Sequence, residues 1–237
     1  MLLERFLDYV SYETTSSEES TSSPSTMIQL KLAEHLRDEL NELKIEDVYL
    51  SDTGYVYGTL KGDKGMPVIG LCSHMDTSPD ALGKDVKARI IRDYDGKDIQ
   101  LNDSLSTTVE RFPFLKNYIG KTLVVTDGTT LLGADDKAGI AIIMETLVYL
   151  INNPDIKHGD IKVCFTPDEE VGRGTENFDY DRFKVDFAYT VDGGEPNYIE
   201  YENFNAASAH VKLTGISVHP GSAKNKMVKA SKLAFEF

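Results

Sequence analysis

The sequence predicts an α/β fold, a mixed sheet with flanking helices followed by the start of a smaller α+β unit. Three observations carry the prediction. The runs VIGLCS (68–73) and IKVCFT (161–166) are apolar without alternation, the mark of strands buried on both faces. These runs are interleaved with segments of helical periodicity, which places helices against a sheet. Past residue 204 the texture changes, and AASAHVKLTGISVHPG begins a fresh strand pattern ahead of a new helix.

Taken in order, Leu2, Leu3, Phe6, Leu7 and Val10 recur at helical spacing, with Glu4, Arg5 and Asp8 between them. That is an amphipathic helix, not a signal peptide. TTSSEESTSSPST (14–26) is a polar loop whose Ser/Thr richness suggests local disorder. Thr26 is placed to cap a helix over 27–43, with Ile28, Leu32, Leu36, Leu40 and Leu43 on one face. VYLSDTGYVYGTLKG reads as two strands around Asp52–Gly54. MPVIGLCSH is a buried strand, residues 80–120 are loops with short strands, and KTLVVTDGTTLLG is a hairpin. GADDKAGIAIIMETLVYLINN is an apolar helix with an acidic start. DIKVCFTPDEE and VDFAYTVDGG are two more buried strands, and KNKMVKASKLAFEF is a helix running to Phe237 without a Gly or Asn cap. The end therefore reads as a cut. The expected domains are 1–204, a catalytic unit lacking its C-terminal part, and 205–237, the beginning of a lid.

Composition narrows the function. Among 237 residues, 25 Lys and Arg stand against 39 Asp and Glu, a formal charge of −14. Nucleic acid needs a basic footprint and an anionic membrane surface a polybasic one, so neither is an expected partner. No apolar run reaches bilayer length. Cys72 and Cys164 lie in strand-like runs and read as small buried hydrophobes in a reducing compartment. A soluble, cytoplasmic protein is the expectation.

The chemistry gathers where buried strands end. One ends in His74 and Asp76, the next in Asp168, Glu169 and Glu170, the third in Asp192, Gly193 and Gly194, and the apolar helix opens with Asp135 and Asp136. Ligands of open α/β sheets bind beyond the carboxyl ends of the strands, so the four clusters face one crevice. Alone, each has a plain explanation: a strand-terminal histidine, a helix cap, an acidic turn, a glycine turn. Together they put several acids and a histidine in one place without a basic partner nearby in sequence. Such acids raise each other's pKa unless a cation is present, which points to a divalent metal or two. On an extended chain His74 and Asp76 point the same way, so Asp76 is placed to orient the imidazole. Adjacent Glu169 and Glu170 would face opposite ways, suiting one to a metal and the other to a proton. A His and carboxylate set favours zinc, with manganese or cobalt also accommodated, and a bridged pair suits amide hydrolysis. Of the other histidines, His35 reads as surface, His158 as a turn residue and His210 as a strand residue, while His219 in a Gly- and Pro-punctuated loop stays open.

With these residues in view, the sequence resembles the peptidase T family of aminotripeptidases, within the co-catalytic zinc exopeptidases of the aminoacylase and carboxypeptidase type. The matching stretches are SHMDTSPD, TLLGADDKAGIA, HGDIKVCFTPDEEVGRGT, AYTVDGG and ENFNAASAHVKLTGISVHPGSAK, and the likeness runs from LLERFLDYVSYET to MVKA. The resemblance implies a metallo-aminopeptidase that hydrolyses tripeptides, with two zinc ions per complete subunit. In it His74 and Asp192 would hold the first zinc, Asp135 would bridge, and Glu170 would hold the second. Asp76 would orient His74, Glu169 would be the general base, and His219 would reach in from the lid to stabilise the oxyanion. A homodimer through the lid is a further implication. Two departures stand out: the family's second zinc uses another histidine near the C-terminus, which nothing after His219 supplies, and Lys229 stands where asparagine is expected. Residues 1–237 alone are accordingly expected to be weakly active or inactive. The competing readings are another dinuclear zinc dipeptidase or deacylase, and a non-catalytic metal-binding fragment.

Overall fold

The computed structural model describes residues 1–195, 197–202, 205–207 and 209–237. The chain divides into two compact units, Met1–Gly194 and Glu195–Phe237. The boundary expected from sequence falls at Phe204, outside the described residues.

In the first unit α1 (Leu2–Val10) leads through the polar loop and a 3-10 turn (Met27–Gln29) into α2 (Leu30–Glu42). Thr26 does not cap α2 as expected. Its hydroxyl donates to the Thr15 carbonyl at 2.6 Å, and the 3-10 turn it precedes has no side-chain cap. The loop is also not loose: Thr14, Ser16 and Ser25 are buried in it. The hairpin β1 (Glu46–Leu50) and β2 (Val56–Leu60) forms as expected, turning through Gly54 at φ +91°. Then follow β3 (Ile69–His74), β4 (Arg89–Ile91), β5 (Ile99–Gln100), β6 (Ser106–Thr107), β7 (Leu123–Val125), α3 (Ala134–Asn152), β8 (Ile161–Thr166) and β9 (Phe187–Thr190).

The main sheet has the order β1-β2-β8-β3-β9. β2 pairs antiparallel with both β1 and β8, whereas β3 runs parallel to β8 and β9, so the sheet is mixed. Alternation along β8 sorts the core. Val163 and Phe165 join Leu32, Leu36, Ile140 and Met144 from the helices in the principal cluster. Cys164 faces the other way, toward Tyr55, Tyr57 and Phe183. Arg5 ties the helices together, pairing with Glu39 on α2 and with Glu145 on α3 at 3.3 Å. At fully buried positions such as Leu36, truncation to alanine costs ~2–5 kcal/mol in general.

Two strand expectations need correction. KTLVVTDGTTLLG does not fold on itself: β7 pairs antiparallel with β4, more than thirty residues earlier. The ladder bonds available to Leu123–Val125 were taken by a distant partner that periodicity does not reveal. β9 is not a buried strand, because it stands at the edge of the sheet and all four of its residues are exposed. In the second unit, the strand expected over AASAHVKLTGISVHPG reduces, among the described residues, to an isolated bridge between Ile216 and Val228, and His210 lies in no strand. A strand needs a neighbour to complete its ladder. The helix α4 (Ala230–Glu236) does form, and Lys229 before it supplies no side-chain cap. Among the described residues no helix is long and apolar enough to cross a membrane.

Candidate metal centre

Because β3, β8 and β9 are parallel, their carboxyl ends emerge at one edge, and the site is built there. His74 is the last residue of β3 and is 2% exposed. Its Nε2 lies 2.9 Å from Asp135 Oδ1, 3.6 Å from Asp192 Oδ2 and 3.9 Å from Glu169 Oε2. Ligand atoms of His74, Asp135 and Asp192 all lie within 4.8 Å of one another, a cluster that could hold a metal ion. Nδ1 faces Asp76, 3.0 Å from its carbonyl and 3.4 Å from Oδ1. The fully buried Asp76 carboxylate also accepts the backbone N–H groups of Glu169 (2.9 Å) and Glu170 (3.1 Å). It therefore joins the exit of β3 to the exit of β8 while facing the imidazole.

The paired aspartates at the head of α3 divide two tasks. Their dihedrals are non-helical, so the regular helix begins at Lys137. Asp135 is exposed and reaches His74, whereas Asp136 is buried. Asp136 accepts from the Ser73 hydroxyl, from His74 N–H at 3.2 Å and from Gly139 N–H at 3.2 Å. It is thus the cap of the regular helix and the anchor of the strand end. A helix cap is the plain sequence reading of the Asp135–Asp136 pair and Asp136 fills it, but adjacency of two acids carries no signal of which one turns inward. Gly139 lets α3 approach the chain leading into Asp192, since a Cβ there would collide with the Val191 carbonyl oxygen. Gly139→Ala is accordingly expected to destabilise the fold by ~1–3 kcal/mol in urea unfolding, with weakened metal binding through a displaced Asp192.

The expectation that Glu169 and Glu170 face opposite ways assumed an extended chain. β8 ends at Thr166, and Asp168 adopts a left-handed φ of +59°, which swings both glutamates into a turn. Both feel the charges of His74, Asp76 and Asp135. Asp168 itself is 1% exposed and turns away, its carboxylate taken by Ser25 and Gln29. The expectation of no nearby base also needs amending. Lys137 is buried, and burial lowers its pKa to about 8 against the pull of Asp76, but its Nζ donates to the Tyr12 carbonyl at 2.6 Å. His35 is half-buried between Tyr9 and Tyr12 and pairs with Asp8 at 3.0 Å. In the second unit, exposed His219 precedes a short 3-10 turn (Pro220–Ser222) and accepts Gly221 N–H on Nδ1 at 3.1 Å.

The electrostatics are those of a site short of positive charge. Burial raises Asp136 to about 7, against its bond from Ser73 and with Asp192 adding to the rise. Glu169, Glu170 and Asp192 are all raised, first by burial and then by the neighbouring carboxylates. Burial alone would lower His74, but the Asp76 hydrogen bond and charge, then Asp136 and Asp135, carry it up to about 10. A divalent cation in place of the proton on Nε2 answers both distortions, and an imidazole with carboxylates is a donor set that such cations accept.

The chain is similar to known peptidases. Residues 123–235 match the model of peptidase family M20/M25/M40. Curated relatives named Peptidase T include one from Caldanaerobacter subterraneus subsp. tengcongensis, 56% identical over 99% of this chain and 58% of that protein. Another, from Bacillus velezensis, is 54% identical over 100% of this chain and 58% of that protein. The chain thus spans less than two thirds of the length of the curated relatives it matches. Among solved structures, a tripeptidase from Staphylococcus aureus superposes with a TM-score of 0.58 at 25% identity, covering 82% of this chain and 43% of that one. Aminopeptidase PepT from Bacillus cereus superposes with a TM-score of 0.60 at 24% identity, covering 99% of this chain and 54% of that one.

Proposed function

We propose that this chain, a homologue of the curated proteins named Peptidase T with a peptidase family M20/M25/M40 segment, forms the metal-dependent hydrolytic centre of a tripeptide aminopeptidase. The observation that carries the reading is the convergence of His74, Asp135 and Asp192, with the Glu169 carboxylate 3.9 Å from the imidazole. Zinc suits this set of one imidazole and carboxylates. Two ions would share Asp135, one held also by His74 and Asp192 and the other by Glu170. When bound, such a cation lowers the pKa of water and polarises the scissile carbonyl.

The chain's own residues do the rest. Asp76 fixes the ring of His74 by facing Nδ1, which directs Nε2 toward Asp135 and Asp192, where those three residues would hold a cation. Glu169 takes the proton of the attacking water and hands it to the leaving amine. Its raised pKa suits a carboxylate that must both accept and release a proton. The bond from Gly221 N–H to His219 Nδ1 assigns the ring proton to Nε2, leaving an N–H donor of the kind an oxyanion needs. Residues 1–204 would be the catalytic unit and 205–237 part of a lid that also supports a homodimer. The −14 charge speaks against a nucleic-acid or anionic-membrane partner, and the free Cys72 and Cys164 suit a reducing, cytoplasmic compartment.

The test is hydrolysis of a tripeptide by the zinc-loaded chain. In keeping with the weak activity expected of residues 1–237 alone, the expected outcome is slow release of the free N-terminal residue, abolished by a chelator, with no cleavage when the N-terminus is acylated. Preferential hydrolysis of acylated amino acids would make it a deacylase. Stoichiometric zinc binding without turnover would support the metal-binding module instead.

A further inference from the structure

The polar stretch 14–29 touches both strand exits of the site. On one side it pairs with Thr77, the residue after Asp76: Thr77 N–H donates to the Thr14 carbonyl at 3.2 Å, and Ser16 N–H to the Thr77 carbonyl at 3.1 Å. On the other it seizes Asp168, the residue before Glu169. Asp168 Oδ2 accepts Ser25 N–H at 2.7 Å, and Oδ1 accepts the Ser25 hydroxyl at 2.5 Å and Gln29 Nε2 at 2.7 Å. Gln29 Oε1 in turn accepts Asp168 N–H at 3.3 Å. Ser25, Gln29 and Asp168 are all buried.

A buried carboxylate is costly unless donors saturate it, and an aspartate at φ +59° needs surroundings that hold it there. The loop supplies both conditions. It thereby fixes the bend at which the chain leaves β8 and brings the N–H groups of Glu169 and Glu170 onto Asp76. The chemistry proposed above uses none of Ser25, Gln29 or Asp168. We infer that these three are positioning residues of the metal centre: the loop 14–29 sets where Glu169 and Glu170 stand by clamping the backbone beside them. The inference rests on the roles given to those two glutamates.

Asp168→Asn keeps the volume but turns an amide NH₂ toward N–H donors. Ser25→Ala is the milder variant and Ser25→Thr the conservative one. Co²⁺ titrated into the chain, followed by its visible spectrum, is the probe, with Glu170→Gln marking the equivalent that Glu170 holds. That equivalent is expected to weaken ~10-fold or more in Asp168→Asn and Ser25→Ala, with an altered spectrum, and to recover in Ser25→Thr. The other equivalent should move less than about 2-fold. Amide exchange without metal is the second measurement: segments 14–29 and 169–172 should lose protection together in Asp168→Asn and Ser25→Ala. Unchanged Co²⁺ affinities and spectra beside a merely lowered Tm would overturn the inference, as would opening of 14–29 while 169–172 stays protected. If Glu170→Gln leaves Co²⁺ binding untouched, the metal roles fail, and the exchange result alone decides on the clamp.

Discussion

Glu169→Gln is expected to lower tripeptide turnover by ~10²–10⁴-fold while metal stoichiometry and KM stay near those of the parent chain. The substitution keeps size and shape and removes only the ability to take a proton. The backbone N–H of residue 169 still donates to Asp76, so the bend after β8 is retained. His74, Asp135 and Asp192 keep their mutual distances, because no bond among them passes through the Glu169 side chain. The loss therefore falls on kcat, the signature of an interaction made only on the way to the transition state. The pH profile adds a sign. Glu169 must be ionised to act as base, and burial followed by its acidic neighbours raises its pKa. Activity should rise with pH through an acid limb above the ordinary glutamate range, and that limb should vanish in the glutamine variant. A ~10-fold or greater loss of metal affinity in Glu169→Gln would make the residue a ligand instead of a base. An unchanged rate would move the proton transfer to Glu170.

How much of this site could be read from the residues depends on the range of the interaction concerned. The convergence of His74, the Asp135–Asp136 pair and Asp192 was legible from two general rules: continuous apolar runs are parallel strands, and parallel strands open their ligand crevice at one edge. The choice of Asp135 over Asp136 came from the family resemblance alone. The sheet, the three helices of the first unit and the β1–β2 hairpin follow from periodicity and one turn. What stayed hidden depends on partners far apart in sequence. Asp168 looked like a third acid of the same cluster, yet Ser25 and Gln29, some 140 residues earlier, turn it away. Local φ/ψ misled as well: a single left-handed residue voids the alternation that separated Glu169 from Glu170. β7 found β4 instead of its neighbour, and β9 proved an edge because order within a sheet is not written in the apolarity of one strand. Lys137 was passed over beside Asp135, and its donor bond to the Tyr12 carbonyl could not be inferred without the loop that carries it.

Removal of the metal is expected to cost stability, and the cost should grow as pH rises. In the chain without metal, His74 has its pKa raised from 6.5 to about 10. Its contribution is complete below the unfolded value and is lost as pH climbs through the folded one. Asp136 is raised from 3.8 to about 7, so its contribution likewise fades as pH passes through that range. Both groups act in the same direction, and between about pH 6 and about pH 9 the chelated chain should lose on the order of 4–5 kcal/mol from these linkages. A divalent cation reverses the sign. It takes the lone pair of His74 Nε2 that the proton held, and its affinity increases as its ligands lose protons. At a thousandfold excess over Kd it adds ~4 kcal/mol to the folded state. Melting curves with Zn²⁺ and with a chelator should therefore diverge as pH is raised. In His74→Gln the divergence should shrink, because the residue that carries the largest rise is gone while Asp136 keeps its bonds to Ser73 and Gly139. Parallel curves with and without zinc across that range would show that the cation does not replace a proton at His74, and the assignment of the site would fall with them.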